Sequence, residues 1–436
     1  MNAPAELSVL LDRVAVGRLE RLPGGYQYRF RYTDEWLRNR RAYPVSFALP
    51  LAGREHEGLS VRHWLRGLLP DNEARLLEIE AEFGVSRDDP YAVLAHVGED
   101  CVGAVQFATP ERAAEIASGV ASEGVEWLDD SSLEILLREI AARSSPDRRV
   151  VRTGQFSLPG ALGKVALLWD PAKKRWGRPS GQLPSTHILK PPIPGLRNHN
   201  ENEHFCLELA RAAGLEAAES RLVRFGEQGA IAVTRYDRAA EAGGGVRRLH
   251  QEDMAQALGL DPALKYAAEG GAGIPEVVRL LRDYAAAGDV DRFIHGVGFA
   301  WITAGTDAHL RNFSLLIGAG GGGRLAPLYD LATALGLGTR KGGTRGLRMA
   351  MAIGGHTALD EISRDAWLQE TARSRLPKRL VDDVAALAER VAEAAPWVAE
   401  RLIGKEGLDT RYLNRLARDV ASRARGCAAE LSRVPR

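Results

Sequence analysis

An α+β fold is what this 436-residue chain predicts, built as a small N-terminal α/β module, a strand-rich lobe and a mainly helical lobe. Three observations lead there. Short apolar runs punctuated by glycine and proline crowd the chain before Gln251. Beyond it, apolar residues recur every three to four positions in segment after segment. A single glycine-linked hairpin, Asn312 to Asp330, interrupts those helices.

In chain order, residues 1–110 read as the N-terminal module. Val9-Leu10-Leu11 and the alternating run Tyr26 to Tyr32 read as strands flanking a Gly24-Gly25 turn. Trp64 to Phe83 has helical spacing, and a strand around Val102 to Phe107 closes the unit. Residues 111–150 read as a connector with a helix at Leu133 to Ile140. In 151–250, the strands are Val165 to Trp169, His187 to Lys190 (stopped by Pro191-Pro192) and Ile231 to Thr234. A helix over Glu201 to Ala213 ends at Gly214. In 251–436, helices are expected at 251–259, 275–285, 291–304, 364–375, 379–403 and 409–431. This is how a protein kinase is laid out.

Composition narrows the function classes. A 45% apolar and 26% charged chain with net charge +1 carries no whole-molecule field for nucleic acid or membrane. The N-terminus lacks a signal-peptide pattern, no run is long enough to cross a bilayer, and the three cysteines lack metal-ligand spacing. A reducing cytoplasm is therefore expected, with no membrane partner. Only eight of the 58 basic residues are lysines, the first being Lys164, so a lysine on a nucleotide-facing strand stands out.

The chemistry concentrates in Gly305 to Ser314. Asn312 follows Asp307 by five positions, the interval between catalytic Asp and Mg²⁺-binding Asn in kinase catalytic loops. The hairpin leaving Asn312 returns to end at Asp330. Antiparallel geometry would then bring an amide oxygen and a carboxylate, both hard ligands, to one open end. Any one of the three could instead cap a turn or helix; three at matching positions on one hairpin argue for a site. His309 within D-x-H-x-x-N reads as a brace for Asp307, or as a histidine satisfied within the fold.

The phosphate side is read from Lys190, at a strand end, with Glu203 as its ion-pair partner. The ordinary alternatives are a solvated strand-end lysine and a carboxylate favoured by a helix N-terminus. Ser157 to Lys164 joins two strands and could fold over phosphates, with Lys164 as a donor. Val233, Thr234 and Tyr236 sit where an interlobe hinge would hold adenine, or where strand ends simply pack.

With these residues assembled, the chain resembles the HipA family of bacterial serine/threonine kinase toxins. The resemblance rests on Tyr43 to Ser46, Leu68 to Asn72, Gly98 to Ala104, Phe156 to Ala161, His187 to Lys190, Asn202-Glu203, Arg235 to Arg238, His250 to Gly259, Thr306 to Asn312 and Tyr329-Asp330. It implies a two-lobed, protein-kinase-like fold that uses ATP and Mg²⁺. Asp307 would be the base, Asn312 and Asp330 the metal ligands, and Lys190 a contact to the ATP phosphates. It further implies autophosphorylation at Ser157, a HipB-like helix-turn-helix antitoxin that binds operator DNA, and an aminoacyl-tRNA synthetase as protein substrate. The chain departs from the family loop at Leu162, where Gln usually follows Gly-Ala. Two other functions fit parts of the pattern: a kinase for a small molecule or lipid, and a catalytically silent co-repressor holding a DNA-binding partner.

Overall fold

The computed structural model describes residues 4–24, 26–71, 73–119, 124–143, 163–180, 183–241, 245–267, 270–336 and 344–433. The chain forms two compact units. One comprises Met1–Pro194, Val223–Ala263 and Ser314–Gly323; the other comprises Gly195–Leu222, Leu264–Phe313 and Arg324–Arg436.

The first unit opens with β1 (Glu6–Leu11), β2 (Val14–Leu22), β3 (Gln27–Tyr32), α1 (Asp34–Arg38), β4 (Glu55–Glu57), α2 (Leu59–Gly67), α3 (Glu73–Phe83), α4 (Pro90–Val97), β5 (Val105–Ala108) and α5 (Pro110–Ser118). The strands make an antiparallel sheet in the order β4-β3-β2-β1-β5. Alternation along β3 buries Tyr28, Phe30 and Tyr32. Trp64 of α2 packs on Phe30 and Phe107, with ring centroids 5.5 and 5.6 Å apart. Two expectations change here. The partner of β3 across the glycine turn is β2, not Val9 to Leu11, which lie one strand further in. The helical run from Trp64 to Phe83 is two helices, broken where Pro70 removes a backbone donor.

Next come β6 (Gly124–Leu128), α6 (Asp130–Arg143), β7 (Val165–Asp170), β8 (Arg175–Ser180), β9 (His187–Lys190), α7 (His199–Ala212), β10 (Ser220–Phe225) and β11 (Gln228–Thr234). The second sheet has the order β10-β11-β9-β7-β8-β6. The chain continues through β12 (Arg238–Ala240), β13 (Val246–Arg248), β14 (His250–Asp253) and α8 (Met254–Ala257). The helix expected over 251–259 is therefore mostly strand: β14 pairs antiparallel with β15 (Ser314–Ile317), and only four residues coil. The reason is tertiary. His250 and Glu252 on β14 are buried against Val45 O, 3.0 Å from His250 Nε2, and the Phe47 N–H, 2.7 Å from Glu252 Oε1.

A buried charge network completes this unit. Arg235 donates to both oxygens of Asp237 (3.0 and 2.8 Å), which also accepts from the Gly103 N–H at 2.7 Å. Arg238 lies 3.0 Å from both Asp237 and Asp100, and Ser185 donates to Asp100 at 2.7 Å. Gly103 has φ +71°, and a Cβ there would stand 2.7 Å from Gln251 N, so glycine alone fits. The motifs Gly98 to Ala104 and Arg235 to Arg238 thus form a structural joint.

The second unit holds α7, α9 (Ile274–Tyr284) and α10 (Asp289–Thr303); after β15 and β16 (Gly323–Leu325) it continues with β17 (Arg348–Ile353), β18 (His356–Ala358), α11 (Arg364–Arg373), α12 (Arg379–Glu406) and α13 (Thr410–Leu431). Phe293, Val297 and Trp301 of α10 are buried, and Trp301 meets Trp367 of α11 with ring centroids 5.8 Å apart. Among the described residues no helix is long and apolar enough to cross a membrane.

Candidate active site

The loop that carries Asp307 begins where α10 stops. Ala304 takes a left-handed conformation (φ +56°), and the Gly305 N–H closes the helix on Ala300 O at 2.7 Å. A Cβ on Gly305 would lie 3.1 Å from Ala332 O, so the missing side chain lets the loop run close to the segment after Asp330. That segment is tied on both sides. Thr333 donates to Thr303 O at 2.5 Å, and Asn202 of α7 clamps the Thr333 backbone with bonds of 2.8 and 2.9 Å.

Asp307, Asn312 and Asp330 line one concavity, together with Thr303, Tyr329 and their neighbours. Asn312 sits in a short 3-10 turn, Leu310–Asn312, rather than on the strand. Its Nδ2 donates to the Asp307 carbonyl at 2.7 Å, which fixes the amide and leaves Oδ1 as its remaining polar atom. Asp330 also has a left-handed backbone (φ +51°), and the preceding Tyr329 donates to Arg311 O at 2.7 Å. An amide oxygen and a carboxylate on one concavity suit a hard cation such as Mg²⁺ by donor chemistry.

His309 is buried, with Nε2 3.9 Å from Asp307 Oδ1. Burial pushes its pKa below the ordinary value, helped by Lys265 and Arg311 and opposed by Asp307, so the imidazole is neutral at pH 7. The Asp307 side chain is 66% exposed. Tyr266 donates its hydroxyl to Asp307 Oδ1 at 2.8 Å. Sequence reasoning passed over Tyr266, which is 41 positions away with no pattern linking the two.

In the first unit, Lys190 ends β9, is buried, and pairs in register with Ile231. Val165 pairs with Leu189, the neighbour of Lys190, and Lys164 directly precedes that strand. Thr234, opposite His187, has its hydroxyl 3.3 Å from His187 Nε2. Tyr236 donates to Gln251 Oε1 at 2.5 Å. Glu203 is buried in α7 and belongs to the second unit, whereas Lys190 belongs to the first. Ser157 and Leu162 lie outside the described residues.

Comparison with known proteins supplies the class and then the family. The fold is the α+β, two-lobed kinase-like class. Over 99% of this chain and 100% of the other, it matches HipA from Shewanella oneidensis MR-1, solved with HipB and its operator DNA, at a TM-score of 0.81 and 22% identity. Family models match as the HipA N-terminal domain over residues 7–108 and the HipA-like C-terminal domain over 156–397. The chain belongs to the HipA family. A Sinorhizobium fredii protein with a provisional kinase name, Y4mE, is 33% identical over 407 residues, covering 91% of this chain and 92% of that protein. The serine/threonine-protein kinase toxin HipA of Shewanella oneidensis is 26% identical over 340 residues, 75% of each chain.

Proposed function

We propose that this chain is an ATP- and Mg²⁺-dependent serine/threonine-protein kinase. The observation that carries the proposal is the shared concavity of Asp307, Asn312 and Asp330. Asp307 would take the proton of the substrate hydroxyl as that oxygen bonds to the γ-phosphorus; the bond to the bridging oxygen breaks and ADP leaves. Neutral, buried His309 would brace the Asp307 loop. Asn312 and Asp330 would hold Mg²⁺, which when bound offsets phosphate charge. Lys164 and Lys190 would meet the phosphates, and Thr234 and Tyr236 would border the adenine.

The partner we propose is a HipB-like helix-turn-helix antitoxin that brings operator DNA with it. Support comes from the likeness to the Shewanella protein solved in such a complex. An aminoacyl-tRNA synthetase as target, growth inhibition and autophosphorylation at Ser157 rest on family membership.

Incubating the purified chain with γ-labelled ATP, Mg²⁺ and host lysate should label discrete proteins. Asp307→Asn should cut labelling by about a thousandfold or more. If no protein gains phosphate, the chain itself included, the proposal fails.

A further inference from the structure

We infer that Tyr266 is a positioning residue for Asp307: its hydroxyl holds Oδ1 and presents Oδ2 to the acceptor hydroxyl. The inference rests on Asp307 being the base. An exposed carboxylate turns freely about its last torsion, and a base must meet its proton with one oxygen in one direction. Among the described residues, the Tyr266 hydroxyl is the one group within hydrogen-bond distance of the Asp307 carboxylate, at 2.8 Å; His309 Nε2 stands off at 3.9 Å.

The tyrosine is itself held. Its ring meets buried His309 edge-on, with centroids 5.1 Å apart at 81°. Lys265 Nζ lies 5.3 Å from the ring centroid, and the Leu310 N–H contacts Lys265 O at 3.4 Å, tying this segment to the catalytic loop. Buried His309 thus acts as a backstop for the ring, and the ring carries the hydroxyl to one carboxylate oxygen. A charge-assisted bond of this kind is short and directional, which suits aiming.

Steady-state phosphoryl transfer from ATP and Mg²⁺ to casein, a generic acceptor, compares wild type, Tyr266→Phe and Asp307→Asn. Tyr266→Phe keeps the ring on His309 and removes one oxygen. Its kcat should fall about tenfold, the loss of one charge-assisted hydrogen bond, with KM for ATP and the melting temperature unchanged. A Phe variant within twofold of wild-type kcat, beside an inactive Asp307→Asn, overturns the inference and leaves the catalytic centre standing. So does a variant whose loss lies in KM or in melting temperature. An active Asp307→Asn instead overturns the catalytic reading, and the inference with it. Should Tyr266→Phe fold poorly, Tyr266→Leu serves as a control: if Phe and Leu lose activity in proportion to their loss of folded protein, the role is structural and the inference falls.

Discussion

Asp237 and Asp307 are the same residue in opposite circumstances. Asp237 is buried and saturated, with Arg235 on both oxygens and Arg238 and the Gly103 N–H beside them. Burial alone would raise its pKa, but the two arginines overcome that and hold it far below the ordinary carboxylate range. Asp307 is two-thirds open to solvent, and among the described residues its carboxylate accepts one hydrogen bond, from the Tyr266 hydroxyl. A carboxylate that holds a fold together has every lone pair occupied. One available to a substrate keeps some in reserve, at little cost to stability.

Breaking the saturated aspartate should have the largest effect. Asp237→Ala leaves two buried arginines with Asp100 as their shared carboxylate and should cost about 3–5 kcal/mol, read by urea unfolding. A loss below 1 kcal/mol would mean that the network is ornamental.

A carboxyl between the two extremes sharpens the contrast through pH. Glu252 is buried, and burial pushes it up to about 8 despite the Phe47 N–H and Ser46. Because the folded pKa is raised, its contribution is fully present below the unfolded value near 4 and is lost as pH rises through 8. Glu252→Gln should therefore match wild type most closely at pH 5 and exceed it at pH 9 by roughly 2–4 kcal/mol. His250, pushed down to about 4 by burial, has a pH effect of the opposite sign but is present in both chains and cancels. An equal difference at the two pH values would dispose of this account.

The smallest effect is expected at the open end. Asp307→Asn should leave unfolding stability within about 0.5 kcal/mol of wild type, as for other exposed substitutions. A loss above 2 kcal/mol would put Asp307 with the structural aspartates.

How far the sequence carried depended on distance along the chain. Asp307 and Asn312 are five positions apart on one loop, and a hairpin returns the chain to Asp330, so local geometry was enough to group them. The long helices from Asp289 onward were likewise written in their spacing. Elements whose partners are remote were hidden. Glu252 is kept in a strand by the backbone near Phe47, a partner no periodicity reveals. The collinear motifs were legible as a family signature, yet several of their residues form the buried joint of Arg235, Asp237 and Asp100, which no motif pattern announces. Tyr266 was missed for the complementary reason: nothing local marks a tyrosine whose hydroxyl meets a carboxylate across a fold.

The left-handed backbone at Asp330 has a genetic consequence. Glycine, asparagine and aspartate are the residues that settle there readily, and aspartate is the one of the three that is charged. The aspartate and asparagine codons differ by a single base. On the proposed function, a strain escaping this protein has a one-nucleotide route to a folded, inactive chain that could still occupy its partners.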